Sequence, residues 1–211
     1  SLREATYFWY VLYGLNVGLL GACFDGMLFK LLPDYTELQA VSIYILLFTQ
    51  TLAAGQFSRY FLHTRQFFPR LDTGLRVAML VIVATLLSGL LLDLQLWGAL
   101  ASITLLSFSL ALLLVGIFSW RQGVSYGPYY TVAWTVLLLA FAIVTAGSLG
   151  FDILSLYGAT VIKIGVTIEL ITLSIGLANR INILKDEGFS SRQAAEQANL
   201  ANQAKGRFLA T

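Results

Sequence analysis

The chain has 211 residues, of which 58% are hydrophobic and 11% charged, with a formal net charge of +2. A water-soluble domain carries about 25% charged residues, so this composition excludes one, and a mean hydropathy of +0.78 points to a lipid environment. The lone cysteine, Cys23, excludes a disulfide framework, and no basic stretch calls for a nucleic-acid partner.

Six apolar spans are predicted, in order about Tyr7 to Leu32 (interrupted by Asp25), Gln39 to Leu62, Gly74 to Leu92, Leu96 to Trp120, Pro128 to Leu149 and Tyr157 to Ala178. A helix rising about 1.5 Å per residue needs roughly 20 residues to cross about 30 Å of hydrocarbon, and each span supplies them. The runs are apolar on every face, so they do not read as barrel strands, which alternate over about 10 residues. Pro33, Pro69 and Pro128 all fall at span edges, where they leave helix interiors intact.

The basic residues sort by parity. Arg3 precedes the first span, Arg59, Arg65, Arg70 and Arg76 flank the gap after the second, and Arg121 follows the fourth. Arg180, Lys185, Arg192, Lys205 and Arg207 follow the sixth. The opposite gaps hold Asp34, Glu37, Asp93 and Asp152, with Lys30 as their only base. Short basic loops stay cytoplasmic, so both ends are expected in the cytoplasm. Trp9, Trp97, Trp120 and Trp134 lie near span ends, where interfacial belts are expected.

From Asn179 onward the chain is polar and Ala-rich, and residues 181–211 read as a cytoplasmic linker helix following a membrane module of residues 1–180. Ser191, Ala194, Ala198, Ala201, Lys205 and Phe208 alternate spacings of three and four, a thin heptad seam that predicts a weak parallel homodimer. Gly188 followed by Ser190 and Gln193 resembles a helix stop and a new capping box, so a break there is one expectation.

No motif carries catalysis. His63 has no metal-ligand partner at a useful spacing and reads as an interfacial polar residue; no metal or cofactor is expected. The intramembrane ionisable residues say more. Glu169 lies near the middle of the sixth span, with Lys163 six residues earlier on an opposite-leaning face. A mid-bilayer carboxyl group is costly unless it faces the bundle and has a partner. Glu169 is therefore expected to bond a polar side chain on another helix, Gln50 or Asn16 first, with Gln56 and Thr51 as further candidates. Lys163 is expected to snorkel toward the outer surface.

Several stretches together resemble a bacterial family, the seven-transmembrane receptors with diverse intracellular signalling modules. They are Arg3 to Tyr13, with Tyr7, Tyr10 and Tyr13 evenly spaced, and Gly21 to Asp34, ending Leu32-Pro33-Asp34. Next come Arg59-Tyr60-Phe61-Leu62 followed by Pro69, and Gly165 with Glu169 running to Gly176-Leu177-Ala178-Asn179-Arg180-Ile181. The resemblance implies an all-α membrane bundle: the family's seven-helix module without its first helix, six crossings here. It also implies an upstream periplasmic sensory domain. The stretch Ala201 to Thr211 is similar to the helix that enters the dimerisation domain of histidine kinases, which implies a downstream kinase. The expected function is the membrane core of a bacterial inner-membrane sensor histidine kinase, simple or hybrid, with membrane lipids and a second copy of the chain as partners. A small transporter or channel is the alternative, and would call for inverted repeats and broken helices at the midplane.

Overall fold

The computed structural model describes residues 2–31, 33–148 and 158–209. Among the described residues all regular structure is helical. The elements are α1 (Leu2–Phe24), α2 (Met27–Leu31), α3 (Thr36–Phe61), α4 (Thr64–Phe67), α5 (Pro69–Ser88), α6 (Leu94–Arg121), α7 (Gly127–Ser148) and α8 (Gly158–Leu209). Five of these, α1, α3, α5, α6 and α8, are long and apolar enough to cross a membrane, and α7 adds a shorter apolar stretch, Gly127–Ile143.

Local chemistry sets the ends. The first predicted span is not one helix. It stops at Phe24, because Asp25 is followed by Gly26 at φ +83°, a left-handed conformation that glycine adopts without a Cβ penalty, and the short α2 then restarts the chain. Helix α5 begins five residues before the predicted Gly74, at Pro69. Its missing N–H costs nothing in a first turn. It also ends earlier than predicted, at Ser88. Asp93 caps α6 by accepting from the backbone N–H groups of Gln95 and Leu96 at 3.1 and 2.9 Å. The fifth and sixth predicted spans match α7 and α8 except at Leu149 and Tyr157, which lie outside the described residues.

The long helices pack in chain order around a ring, α1 on α3, α3 on α5, α5 on α6, α6 on α7 and α7 on α8, with α3 also touching α6 across the middle. Aromatic and branched side chains fill the centre: Phe48, Phe57, Phe61, Ile82, Leu112, Tyr130 and Leu173 are fully buried. Trp97 and Trp134 belong to this core and not to an interfacial belt. Trp97 stacks on Phe48 and donates its indole N–H to the Thr85 carbonyl at 2.9 Å.

The α7/α8 contact is the closest approach. A Cβ on Gly165 would lie 2.5 Å from the Ala140 Cβ, so only glycine lets these backbones meet as they do. This is the usual device of helix pairs in lipid, where small residues replace a hydrophobic driving force. By contrast α1 and α8, which close the ring, share the least extensive backbone contact of the series.

Helix α8 is unbroken over 52 residues. At 1.5 Å per residue that is about 78 Å, more than twice the hydrocarbon thickness. The break anticipated at Gly188 does not occur: the helix runs through it, with open space around the glycine. One helix thus serves as both the last membrane crossing and the tail. Ala194 of the seam is exposed; the side chains of Ala198, Ala201 and Phe208 lie outside the described residues.

Candidate functional site: a polar seam between the first and last helices

What the α1/α8 pair lacks in backbone contact it makes up in polar side chains. The helices run antiparallel, so residues early in α1 meet residues late in the membrane half of α8. Thr6 meets Arg180, Tyr10 meets Leu170 and Ser174, Tyr13 meets Glu169, and Asp25, just past α1, meets Lys163. Tyr10 and Tyr13 are three apart and therefore share one helical face.

Glu169 is at the centre. Its side chain is fully buried, as expected of a mid-span carboxyl group, and faces the bundle. Its partner differs from the expected one. The Tyr13 hydroxyl donates to Glu169 Oε1 at 2.6 Å. Asn16, one turn along, is engaged elsewhere: it donates to the Leu12 carbonyl at 2.9 Å and accepts from the Thr49 hydroxyl at 2.9 Å. Gln50 reaches the same cluster, but against the Tyr13 hydroxyl and not the carboxyl group. Gln56 accepts from Arg59, and Thr51 bonds its own helix at the Leu47 carbonyl. The α1 side chain that bonds Glu169 is thus Tyr13, since Asn16 is taken up by Leu12 and Thr49. Two buried oxygens of the residues that meet the Tyr13 hydroxyl, Glu169 Oε2 and Gln50 Oε1, have no hydrogen-bond partner among the described residues. Each such orphan costs about 1–3 kcal/mol, so the centre of the seam is not fully satisfied in this arrangement.

Lys163 does not simply snorkel. Its Nζ pairs with Asp25 Oδ1 at 2.5 Å, both side chains more than half exposed, at the end of the bundle away from the arginines. Lys163 and Glu169 do not pair. Asp25 interrupted the apolar run in the sequence without revealing what it bonds.

At the arginine-rich end, Arg180 is 3% exposed and so is not a solvated loop charge. One guanidinium nitrogen donates to the Thr6 hydroxyl at 3.0 Å and another contacts His63 Nε2. The group also sits over the Phe61 and Tyr126 rings, 5.7 and 5.6 Å from their centres, a cation–π arrangement. Arg180 therefore gathers α1, the α3–α4 joint and the α6–α7 loop around the point where α8 leaves the ring. His63 is the residue of that joint, in the left-handed region at φ 50°. Arginine has no acceptor, so His63 Nε2 accepts, and Nδ1–H faces Gln66 Oε1 at 3.3 Å. The Arg180 contact requires the neutral imidazole, whereas Nδ1–H can donate to Gln66 in either protonation state. Burial, reinforced by the Arg180 charge, pushes the His63 pKa below its ordinary 6.5. The expected interfacial histidine is thus a wedge in the packing, and among the described residues no group of three potential metal ligands occurs.

Asp72 was not singled out by the sequence. It is 2% exposed. Arg59 binds it in a fork at 2.7 and 3.2 Å, Arg76 pairs with Oδ2 at 2.6 Å, and the Thr64 hydroxyl donates at 2.8 Å. This cluster ties α3, α4 and α5 together. Its only sequence trace was an acid inside an arginine-rich gap.

Compared with known proteins, residues 1–180 match the model of a family described as 7TM diverse intracellular signalling. Neither curated proteins nor solved structures give a match.

Proposed function

We propose that this chain, which belongs to the 7TM diverse intracellular signalling family, is the membrane core of a bacterial sensor histidine kinase, simple or hybrid, seated in the inner membrane with both its ends cytoplasmic. Family membership makes it a multi-pass membrane signalling module. The kinase partner, the relay and the orientation are the further step.

One observation carries the reading: the helix that forms the tail is the same helix whose membrane half holds Glu169 against Tyr13. A change at the α1/α8 seam reaches the tail through continuous hydrogen-bonded backbone. Helix α8 is locked to α7 by glycine and tied to α1 mainly by polar side chains. The two packings differ in how readily they slip, which favours movement of α8 with α7 against α1. The orphan oxygens beside Tyr13 favour a second arrangement close in energy, and a gap of a few kcal/mol is what a switch needs. A transporter would call for unwound helices at the midplane, whereas the described membrane helices run without interruption.

Basal autophosphorylation of the full-length receptor containing this segment tests the relay. Glu169→Leu should drive it to one extreme by roughly tenfold, the change that about 1.4 kcal/mol of lost bias produces. Glu169→Gln, which keeps shape and acceptor, should stay within a few-fold of the parent. A Glu169→Leu receptor that folds and signals like the parent would end the relay reading. The dimer is tested separately. Cysteine at 198 or 201 should cross-link two copies on oxidation, and cross-linking at 196 in place of these would show the seam to be on another face.

A further inference from the structure

The arginines at one end of the bundle divide by what neutralises them. Arg59 and Arg76 share the buried Asp72, and Arg180 is enclosed by Thr6, His63 and two rings. Arg65, Arg70 and Arg121 differ from these, and of the three Arg70 and Arg121 line a common groove. Both are exposed, and neither has an ion-pair or hydrogen-bond partner among the described residues. They stand at the start of α5 and the end of α6, at the mouth of one groove of about 570 Å³.

That groove continues between α5 and α6 into the membrane-spanning part of the bundle. Its lining is otherwise apolar, and it includes no acidic side chain. Small residues open it: Gly74 and Ala78 on α5 and Ala111 on α6, walled by Leu114 and Phe118. A Cβ on Gly74 would meet nothing within 4 Å, so the space beside it is open. Leu114 and Phe118 are themselves 65% and 41% exposed, on the face a bilayer would cover.

We propose that this groove is a binding site for an anionic phospholipid, its headgroup phosphate held by Arg70 and Arg121 and an acyl chain laid along Gly74, Ala78 and Ala111. The two halves of the site match the two halves of such a lipid. Guanidinium groups suit phosphate, because their fork of N–H donors fits its oxygens. An apolar channel leading from a cationic mouth into the hydrocarbon has no use for a soluble anion, which would leave the channel unfilled. A zwitterionic lipid fits the channel but brings a choline or ethanolamine cation toward two arginines.

The test uses the purified chain in a neutral detergent, melted with added phosphatidylglycerol or phosphatidylcholine. Phosphatidylglycerol should raise the melting temperature in a saturable way, and phosphatidylcholine should not. Each basic group near a membrane surface strengthens anionic-lipid binding by roughly fivefold, so Arg70→Gln/Arg121→Gln should weaken the phosphatidylglycerol effect by at least about tenfold. Arg70→Lys/Arg121→Lys keeps the charge and should retain much of it. Gly74→Phe fills the channel with both arginines present and should also abolish the effect. A double glutamine variant that keeps the full phosphatidylglycerol preference would overturn the site. A Gly74→Phe variant that binds phosphatidylglycerol as the parent does, or stabilisation by inorganic phosphate alone, would overturn it as well, since either would mean that the arginines take an anion without the groove.

Discussion

Tyr13→Phe removes one oxygen and no volume, which isolates the hydrogen bond at the middle of the seam. Among the described residues the Tyr13 hydroxyl is the only donor to Glu169 Oε1, and Glu169 Oε2 lacks a partner. The variant therefore leaves a fully buried carboxyl group with neither oxygen bonded. Interhelical hydrogen bonds in bilayers are worth about 0.6 to 2 kcal/mol, and an orphaned buried group costs about 1–3 kcal/mol. We expect a loss of about 1–2 kcal/mol, which at roughly 2–4 °C per kcal/mol for a chain of this length lowers the melting temperature by about 2–8 °C. The sharper test is the double variant. Tyr13→Phe/Glu169→Leu removes both partners and leaves an apolar pair, and such replacements are close to neutral. The double variant should therefore be more stable than Tyr13→Phe alone. Thermal unfolding in detergent, arranged as a double-mutant cycle with both single variants, measures the coupling. Strictly additive losses would refute the reasoning, because they would mean that the two side chains do not depend on each other.

Asp72→Asn should be among the most damaging changes. It leaves Arg59 in its partly buried place without a counter-charge, and breaking a buried pair costs about 3–5 kcal/mol, toward the lower end here because Arg76 is half exposed; loss of folded protein in a detergent size-exclusion profile is the readout. His63 predicts a pH dependence. Its pKa in the folded chain lies below the ordinary 6.5, so the unfolded chain binds its proton more readily, and the stability it contributes is complete above about 6.5 and falls as the pH drops through the range below. Melting temperatures of the parent and His63→Gln should converge in acid and separate above neutrality, and parallel curves would contradict the neutral acceptor facing Arg180. Gly165→Ala sets a Cβ 2.5 Å from that of Ala140 and should cost about 1–3 kcal/mol by overpacking, with partial rescue by Ala140→Gly measured in the same melts.

The bundle was legible in the sequence because bilayer physics leaves few choices. An apolar run of about 20 residues must satisfy its backbone internally, which dictates a helix. Asp25 and Gly26 ended α1 early, and Pro69 began α5 early, because turn and first-turn chemistry act locally beneath the hydropathy average. Glu169 could be singled out, and its orientation predicted, because a mid-membrane carboxyl group has only one affordable place to face. Its partner could not be chosen, because which helix lies opposite depends on the ring order, and nothing in the sequence orders the ring. Tyr13 stands out in the sequence only as the third of the evenly spaced tyrosines of the family resemblance, which assigns it no partner. The same gap hid Arg180 and Asp72. Their positions in basic gaps gave the sign of the loop, while burial depends on which helix ends converge there.

The seam has four polar levels, one of them Tyr10 on Leu170 and Ser174, and the other three differ in how firmly they hold. Lys163 and Asp25 meet where both are more than half exposed, and such pairs contribute about 0–1 kcal/mol. Tyr13 and Glu169 meet in full burial, where an unmade bond is costly but two neighbouring oxygens are already unpaired. Arg180 is gripped from three elements at once and is the tightest of the three. The hold on α8 therefore increases along its length toward the tail. A perturbation at the Lys163 end meets the weakest tie first and works against a firm point at Arg180. Between them, α8 is held to α1 by Tyr10, which bonds Leu170 and Ser174, and by the Tyr13–Glu169 level, whose hydrogen bonds are least complete. On the proposed relay, that gradient would make Glu169 the place where a small displacement of the far end becomes a choice between hydrogen-bond partners.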